Sequence, residues 1–221
     1  SWNTGPTRLF LYNPRGNTSM AFTCVTRAGS TTSGSVNPGN VWTFDLADNQ
    51  AAHCTASQPF FGISTVDTPV SSVSSGQAWD WSYTLYPDSF LTTEALVGLG
   101  LGRDPNSPDN LNENGSPLWV TPVCDTYVYV DWNNDGVPDL VDLNGDGYTS
   151  DTVDGINEAT SNGGMWITAL KSVRLFNPAV TSEPYDQSGA RVWSRTSAWA
   201  EPGCRLALAW GQDPRRASAA A

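Results

Sequence analysis

Short runs of β-type residues recur along the chain, and residues that favour turns separate them. Val, Ile, Thr and aromatic residues fill the runs, whereas connectors such as NPRGN, NPGN and EPG contain Gly, Pro and Asn. This alternation predicts about ten strands in an antiparallel β-sandwich of immunoglobulin-like or jelly-roll-like type. The runs are TRLFLYN, SMAFTCVT, VWTFDL, WDWSYTLY, ALVGLGLG, LWV, TYVYVD, MWITALKSVRLF, ARVWSRTSAW and CRLALAW.

Helix signals are nearly absent, so the expected fold class is all-β. The one short helical candidate is GINEAT, residues 155–160. A chain of 221 residues can form one large β domain or two small ones. We expect a single compound β-sandwich over residues 1–221, with residues 131–160 as an inserted loop. Two sub-sandwiches divided near residues 70–95 are the alternative.

The charge balance excludes two classes of partner. The formal net charge is -11, and nucleic acids and anionic membrane surfaces bind through basic patches that this sequence lacks. No apolar run approaches the roughly 20 residues that span a bilayer, and no signal-like segment opens the chain at SWNTGPTRLF. We therefore expect no nucleic-acid partner, no direct membrane insertion, and a chain that is either cytosolic or already processed.

The four cysteines indicate the compartment. They are widely spaced and lack the C-x-x-C pairs that are typical of zinc sites. Four cysteines allow three pairings, of which we favour Cys24 with Cys54 and Cys124 with Cys204, one bridge in each half of the chain. Disulfides predict an extracellular or cell-surface location, where calcium is abundant as well.

The stretch DWNNDGVPDLVDLNGDG, residues 131–147, concentrates carboxylates without any basic residue to neutralise them. No Lys or Arg occurs between Arg103 and Lys171, although this interval contains 12 of the 22 acidic residues. Like charges at this density repel one another, so a bound cation is needed to offset the repulsion.

The spacing of the acidic residues fits the calcium loop of an EF-hand, with Gly136 at the sharp turn in position six. Calcium prefers oxygen ligands, and a strongly curved loop turns alternate side chains towards one ion. We expect one calcium ion in this first loop. Its ligands at positions one, three, five, seven, nine and twelve are Asp131, Asn133, Asp135, the Val137 carbonyl, Asp139 and Asp142.

A second, overlapping register begins at Asp142 and places Gly147 at its sharp turn. Loops that share a residue resemble the chained repeats of thrombospondin type 3 modules, and single loops resemble those of dockerins. Calcium in this setting is expected to be structural, because a sensor needs a pair of helices that opens on binding. The candidate ligands of the second site are Asp142, Asn144, Asp146, the Tyr148 carbonyl, and Asp151 or Asp154 as the closing residue.

No enzyme is predicted. His53 is the only histidine, no G-x-S-x-G elbow occurs, and the glycines at 98, 100 and 102 fit a closely packed strand. A glycosidase would need a carboxylate pair, for which the residues outside the acidic stretch are candidates. These residues are Asp80, Asp88, Glu94, Glu183 and Glu201.

Two further features allow other functions. Trp79 and Trp81 share one strand face and could stack on sugar rings, although aromatic residues in phase are more often part of a core. Lys171 is the only lysine and is in phase with inward-facing residues of MWITALKSVRLF. A buried lysine could form an isopeptide bond with Asn or Asp, whereas a salt bridge or a bulge is the simpler explanation.

The phrases ALVGLGLG, SPLWVTPV, TYVYVDWNNDG, LKSVRLFNP, DQSGARVW and CRLALAWGQDP, within residues 95–214, resemble a module of large bacterial cell-surface proteins that ends in WGQDP. The resemblance implies secretion and surface display and supplies no catalytic residues. We expect a calcium-stabilised structural or adhesive surface protein, a self-assembling subunit of a filament or surface layer. Its partners would be copies of itself, through a terminal strand that completes a neighbour's sheet, or other surface proteins. A carbohydrate-binding module with glycan partners is the alternative.

Overall fold

The computed structural model describes residues 7–47, 50–67, 80–98, 118–158, 163–180, 187–196 and 202–210. All the residues expected to bind calcium are within these ranges. Several predictions lie outside them: those on Trp79, the side chain of Trp81, Gly100, Gly102, Glu183, Glu201, residues 159 and 160 of the helical candidate, the WGQDP segment beyond Trp210 and both chain ends.

The predicted all-β fold is confirmed. The described residues form 16 strands and one short 3-10 turn, Asp88–Phe90, and all their strand pairs are antiparallel. None of the described segments is a helix with the length and apolar character needed to cross a membrane. The chain divides into two compact units, Ser1–Ser89 and Phe90–Ala221.

The described residues of the first unit form seven strands in two antiparallel sheets. One sheet has the order β4-β1-β6-β7, and the other has the order β3-β2-β5. The strands are β1 (Thr7–Tyr12), β2 (Met20–Thr26), β3 (Thr31–Val36), β4 (Val41–Leu46), β5 (Ala52–Ala56), β6 (Phe61–Asp67) and β7 (Asp80–Thr84).

Alternating residues of the first unit form its core, as expected for sheets that are buried on one face. Met20, Phe22 and Cys24 of β2 are buried, and the residues between them are more exposed. Leu11 of β1 belongs to the same cluster, and the ring of Phe22 lies 4.2 Å from that of Trp42 on β4. The two sheets therefore bury their apolar faces against each other in a small sandwich.

The second unit has the same layered plan, with nine strands in the part of it that the structure describes. Its sheets have the orders β13-β10-β15-β8 and β14-β9-β16, and β11 pairs with β12 in a separate hairpin. The strands are β8 (Glu94–Leu96), β9 (Leu118–Pro122), β10 (Thr126–Asp131), β11 (Thr152–Val153), β12 (Ile156–Asn157), β13 (Met165–Ile167), β14 (Val173–Leu175), β15 (Arg191–Arg195) and β16 (Leu206–Trp210).

The core of the second unit includes residues from the acidic stretch as well as from the strands. Val128 and Val130 of β10 pack in one cluster with Val141, Leu143 and Ile156, all of which are buried. The segment between β10 and β13 is therefore attached to the sandwich by apolar side chains, although most of its other residues are polar. We refer to its described part, residues 131–158, as the acidic insert.

Two predicted elements are wrong. The helical candidate GINEAT instead contains β12, because Asp154 and Gly155 form a two-residue hairpin turn in which both φ angles are positive, 51° and 79°. The run MWITALKSVRLF is two strands, β13 and β14, which belong to different sheets. Leu170, with a φ of 58°, breaks the run between them.

Both disulfides have the pairing that the sequence favours. Cys24 and Cys54 are direct cross-strand neighbours on β2 and β5, with a Cα–Cα distance of 4.0 Å. Cys124 and Cys204 lie in the second unit with a Cα–Cα distance of 5.7 Å. Each unit thus contains one bridge, and the described residues contain no free cysteine.

Candidate metal site in the acidic insert

The first loop of the acidic insert folds around its own side chains. Asp131 is buried at the end of β10, and its carboxylate accepts N–H bonds from Asp135 at 3.2 Å and Gly136 at 2.8 Å. Asn133 accepts from the Asp135 N–H at 3.0 Å, and Asp135 accepts from the Val137 N–H at 2.8 Å. Gly136 has a φ of 89°, a backbone conformation that favours glycine. Positions one, three, five and six of the predicted template therefore lie together.

The second loop repeats this arrangement 11 residues later. The Asp142 carboxylate accepts from the N–H of Asn144 at 2.9 Å and of Gly147 at 2.7 Å. Asn144 accepts from the Asp146 N–H at 2.9 Å, and Asp146 accepts from the Tyr148 N–H at 2.8 Å. Gly147 has a φ of 87°, close to that of its counterpart in the first loop. The insert is therefore a structural repeat.

Asp142 belongs by its hydrogen bonds to the second loop. Both of its carboxylate oxygens accept amides there, whereas the sequence also predicts that it closes the first loop. The carboxylate that turns back onto the first loop is that of Asp139, whose Oδ2 accepts from the Trp132 N–H at 2.8 Å. Asp139 thus occupies the neighbourhood of the first ligand, as its predicted position nine requires.

The junction between the loops is fixed to the sandwich. The backbone of Asp142 exchanges two hydrogen bonds with that of Phe176, which follows β14, at 3.1 and 2.9 Å. Val141 and Leu143 on either side are buried in the core. These contacts leave Asp142 only 1% exposed, so its charge is removed from water.

Glu158 also belongs to this site, and the spacing of the acidic loops did not reveal it. Its side chain is 0% exposed, and Oε1 accepts from the N–H of Leu143, the residue after Asp142. Oε2 is buried and has no hydrogen-bond partner in the described part of the chain. Burial raises the pKa of this carboxyl, and the charges of Asp142 and Asp151 raise it further, whereas the backbone amides of Leu143 and Asp151 oppose the rise. The Asp-Gly hairpin turn was the signal that could have found it, because that turn brings the chain back to the loops.

The two residues predicted to close the second loop are placed differently. Asp151 is half-buried, and its Oδ2 accepts from Nδ2 of Asn144 at 3.4 Å. Asp154 is exposed in the turn between β11 and β12. Its backbone carbonyl accepts from Nζ of Lys171, which is buried as the alternation of its run predicts. An isopeptide bond at this lysine stays a prediction.

The acidic insert carries eight carboxylates. Within the described residues, Asp131, Asp142 and Glu158 form no ion pair, and the pairs present are Arg8 with Asp45, His53 with Asp88 and Arg191 with Glu94. The pKa of Arg191 is raised mainly by its hydrogen bond with Glu94, and the charge of Asp131 adds to the effect. This arginine therefore contributes some positive potential to the first loop.

The calcium site itself stays a prediction. In the described ranges, no three Asp, Glu, His or Cys side chains converge closely enough to hold a metal by themselves. The EF-hand template also takes oxygen ligands from Asn side chains and backbone carbonyls, which Asn133, Asn144, Val137 and Tyr148 can supply. In the structure, carboxylates of both loops bond to backbone amides instead, so binding would require them to share their oxygens with the ion.

Comparisons of the chain with family models, with curated proteins and with solved structures return no match. The resemblances to bacterial surface modules and to thrombospondin type 3 repeats therefore stay predictions.

Proposed function

We propose that this chain is an extracellular structural module that calcium stabilises through the acidic insert. The observation that carries the proposal is the burial of Asp131, Asp142 and Glu158, which are 0%, 1% and 0% exposed, without an ion pair among the described residues. Burial of a carboxylate without a compensating charge costs several kcal/mol. Backbone amides offset part of this cost at Asp131 and Asp142, and divalent cations with oxygen ligands would offset the rest there and the cost at Glu158.

The disulfides support the extracellular part of the proposal. Each compact unit contains one, and disulfides persist in oxidising environments rather than in the cytosol. Extracellular calcium-binding modules work at dissociation constants of about 0.1 to 1 mM. An Asp-rich loop without the usual closing Glu, as in the first loop, suits an affinity of this order.

A structural role is favoured over a sensing role by the attachment of the insert. Val141, Leu143 and Ile156 lie in the core of the second unit, so the loops cannot move far without disturbing the sandwich. Calcium sensors expose a groove by opening a pair of helices. An ion bound here would instead hold the two loops against the core.

The test is thermal unfolding of the oxidised chain in calcium, in magnesium and in excess chelator. Free calcium at 100 times the dissociation constant contributes about 2.7 kcal/mol, which corresponds to a rise of about 10 °C in Tm for a unit of this size. Asp131→Asn should remove the part of that rise that comes from the first loop, whereas the control Asp45→Asn, in an exposed ion pair outside the insert, should retain the whole rise. An equal Tm in calcium and chelator would refute the proposal.

We further propose that copies of the chain assemble with one another, which an exposed apolar row in the first unit supports. Val41, Tyr12 and Phe61 are register neighbours on β4, β1 and β6, and they are 52%, 36% and 47% exposed. Residues in register point to the same face of a sheet, so these three side chains adjoin one another. Each bound calcium ion would reduce the net negative charge of a copy by two, which weakens the repulsion between copies.

Light scattering after size exclusion tests the assembly proposal. We expect association in calcium that Tyr12→Ser together with Phe61→Ser reduces at least tenfold, and that the control Tyr86→Ser, an exposed tyrosine outside the row, leaves unchanged. A monomer at all concentrations would contradict self-assembly. Binding of a polysaccharide by the same row in that monomer would favour the carbohydrate-binding alternative.

A further inference from the structure

Glu158 presents an unusual combination of burial and missing partners. Its side chain is fully buried, yet Oε2 has no hydrogen bond from any described residue. Oε1 accepts from the Leu143 N–H, which places the carboxyl group beside Asp142, the first ligand position of the second loop. A buried carboxylate oxygen without a donor is rare in folded proteins and indicates a missing partner.

The first loop contains a carboxylate in a position equivalent to that of Glu158. There, the Asp139 carboxylate accepts from the Trp132 N–H, which directly follows the first ligand position. Glu158 makes the same contact in the second loop, with the N–H that follows Asp142. The two carboxylates thus have equivalent positions, although Asp139 lies eight residues after its first ligand and Glu158 lies 16 residues after its own. The eight additional residues accommodate the β11–β12 hairpin.

The structure favours Glu158 over the residues that the spacing predicts. Asp154 lies in the hairpin turn with its side chain exposed. Asp151 accepts from the Asn144 amide, and its carbonyl accepts from the Glu158 N–H at 3.1 Å, so it lies near the loop and can add a ligand. Of these three acidic residues, only Glu158 offers a buried side-chain oxygen without a hydrogen-bond partner among the described residues.

We infer that Glu158 closes the second loop around a calcium ion of its own. The inference rests on the proposed calcium function and adds a second site and its closing ligand. Glu is the side chain that calcium loops use for bidentate closure, since its two oxygens help to reach the six to eight ligands that calcium takes. The remaining ligands are Asp142, Asn144, Asp146 and the Tyr148 carbonyl, with Asp151 as a further candidate.

Closure by Glu158 would connect the ion to the hairpin. Ile156 of β12 lies in the core, and Lys171 holds the hairpin turn through the Asp154 carbonyl. Binding at the second loop would therefore order β11 and β12 as well as the loop itself. Closure by Asp151 alone would leave the hairpin outside the site.

Calcium titration of the full oxidised chain, with bound ions counted by native mass spectrometry and affinities measured by calorimetry, tests the inference. Wild type should bind two ions, Glu158→Gln one, and the control Asp154→Asn two. Loss of a residue that only hydrogen-bonds to a metal ligand lowers metal affinity by about 10 to 100-fold. Loss of Glu158, a direct ligand, should therefore lower the calcium affinity of the second site by about 100-fold or more. Two ions with unchanged affinity in Glu158→Gln would overturn the inference and leave the proposed function standing. No binding in wild type would refute the proposed function itself.

A measurement on the unmutated chain guards against a variant that fails to fold. Hydrogen exchange at the amides of Ile156 and Glu158 should slow at least tenfold when calcium is added, because the closed site includes their hairpin. Amides of β2 in the first unit serve as the internal control. Protection of the first loop without any protection of the hairpin would overturn closure by Glu158.

Discussion

Replacement of Asp142 with asparagine should show how charge and hydrogen bonding combine in the acidic insert. Oδ1 of Asp142 accepts from the N–H of Asn144 at 2.9 Å and of Gly145 at 2.6 Å, and Oδ2 accepts from Gly147 at 2.7 Å. An asparagine keeps only one of the two oxygens. Its NH₂ group must therefore face at least one N–H donor in the folded protein.

The expected loss in free energy of unfolding for Asp142→Asn is smaller in chelator than in calcium. If the NH₂ group takes the place of Oδ2, only the bond from Gly147 is lost. A hydrogen bond to a charged group contributes about 1.5 to 3 kcal/mol, so the variant should lose up to about 3 kcal/mol in chelator. Relief of the repulsion between Asp142 and Glu158 reduces this loss. In calcium at 100 times the dissociation constant, the variant also loses about 2.7 kcal/mol of binding free energy, which brings the maximum to about 6 kcal/mol.

Equilibrium urea unfolding followed by tryptophan fluorescence measures both values. Asp142→Asn and wild type are compared in calcium and in chelator, with Asp45→Asn as the control for a lost carboxylate outside the insert. The informative quantity is the difference between the loss in free energy of unfolding that Asp142→Asn causes in calcium and the loss that it causes in chelator. Equal losses in calcium and in chelator would show that Asp142 acts only through backbone amides, which would refute the reasoning.

Four other perturbations test the structure around the site. Val141→Ala removes two methyl groups from a fully buried side chain and should lower the free energy of unfolding by about 2 kcal/mol in calcium and in chelator alike, as chemical denaturation would show. Gly163→Ala should weaken calcium binding at the first loop in calorimetry, because Gly163 has a φ of 69° and a Cβ there would overlap the Asp139 carbonyl. Replacement of Cys124 and Cys204 by Ala opens a loop of 80 residues and should cost about 4.5 kcal/mol in the same denaturation assay. The hydrogen bond from Arg191 lowers the pKa of Glu94. This pair should therefore stabilise the fold at pH values above the unfolded pKa near 4.5, and the stabilisation should be lost as the pH falls through the lower pKa of the folded state. Glu94→Gln should make the free energy of unfolding less dependent on pH in this range.

The sequence predicts the β architecture well where burial alternates regularly. The run SMAFTCVT, predicted as a strand, contains β2, in which Met20, Phe22 and Cys24 are buried. The disulfide pairing follows from placing one bridge in each half of the chain. These features depend on local pattern, which is present in a single sequence.

The errors arise where backbone geometry interrupts a pattern. MWITALKSVRLF has a continuous strand pattern, but the left-handed conformation of Leu170 divides it between two sheets. GINEAT has no strong strand signal, and its pairing with β11 depends on the Asp154–Gly155 turn. The EF-hand spacing does not identify Glu158 for a similar reason. The spacing counts residues along the chain, whereas the β11–β12 hairpin brings Glu158 back beside the second loop.

Crystals grown in calcium, or with terbium in its place, would test the central claim most directly by anomalous diffraction. We predict an anomalous peak in the first loop with oxygens of Asp131, Asn133 and Asp135 at about 2.3 to 2.6 Å, and a second peak beside Glu158. An ordered acidic insert with no peak, in which the carboxylates still bond to the backbone amides, would contradict the account.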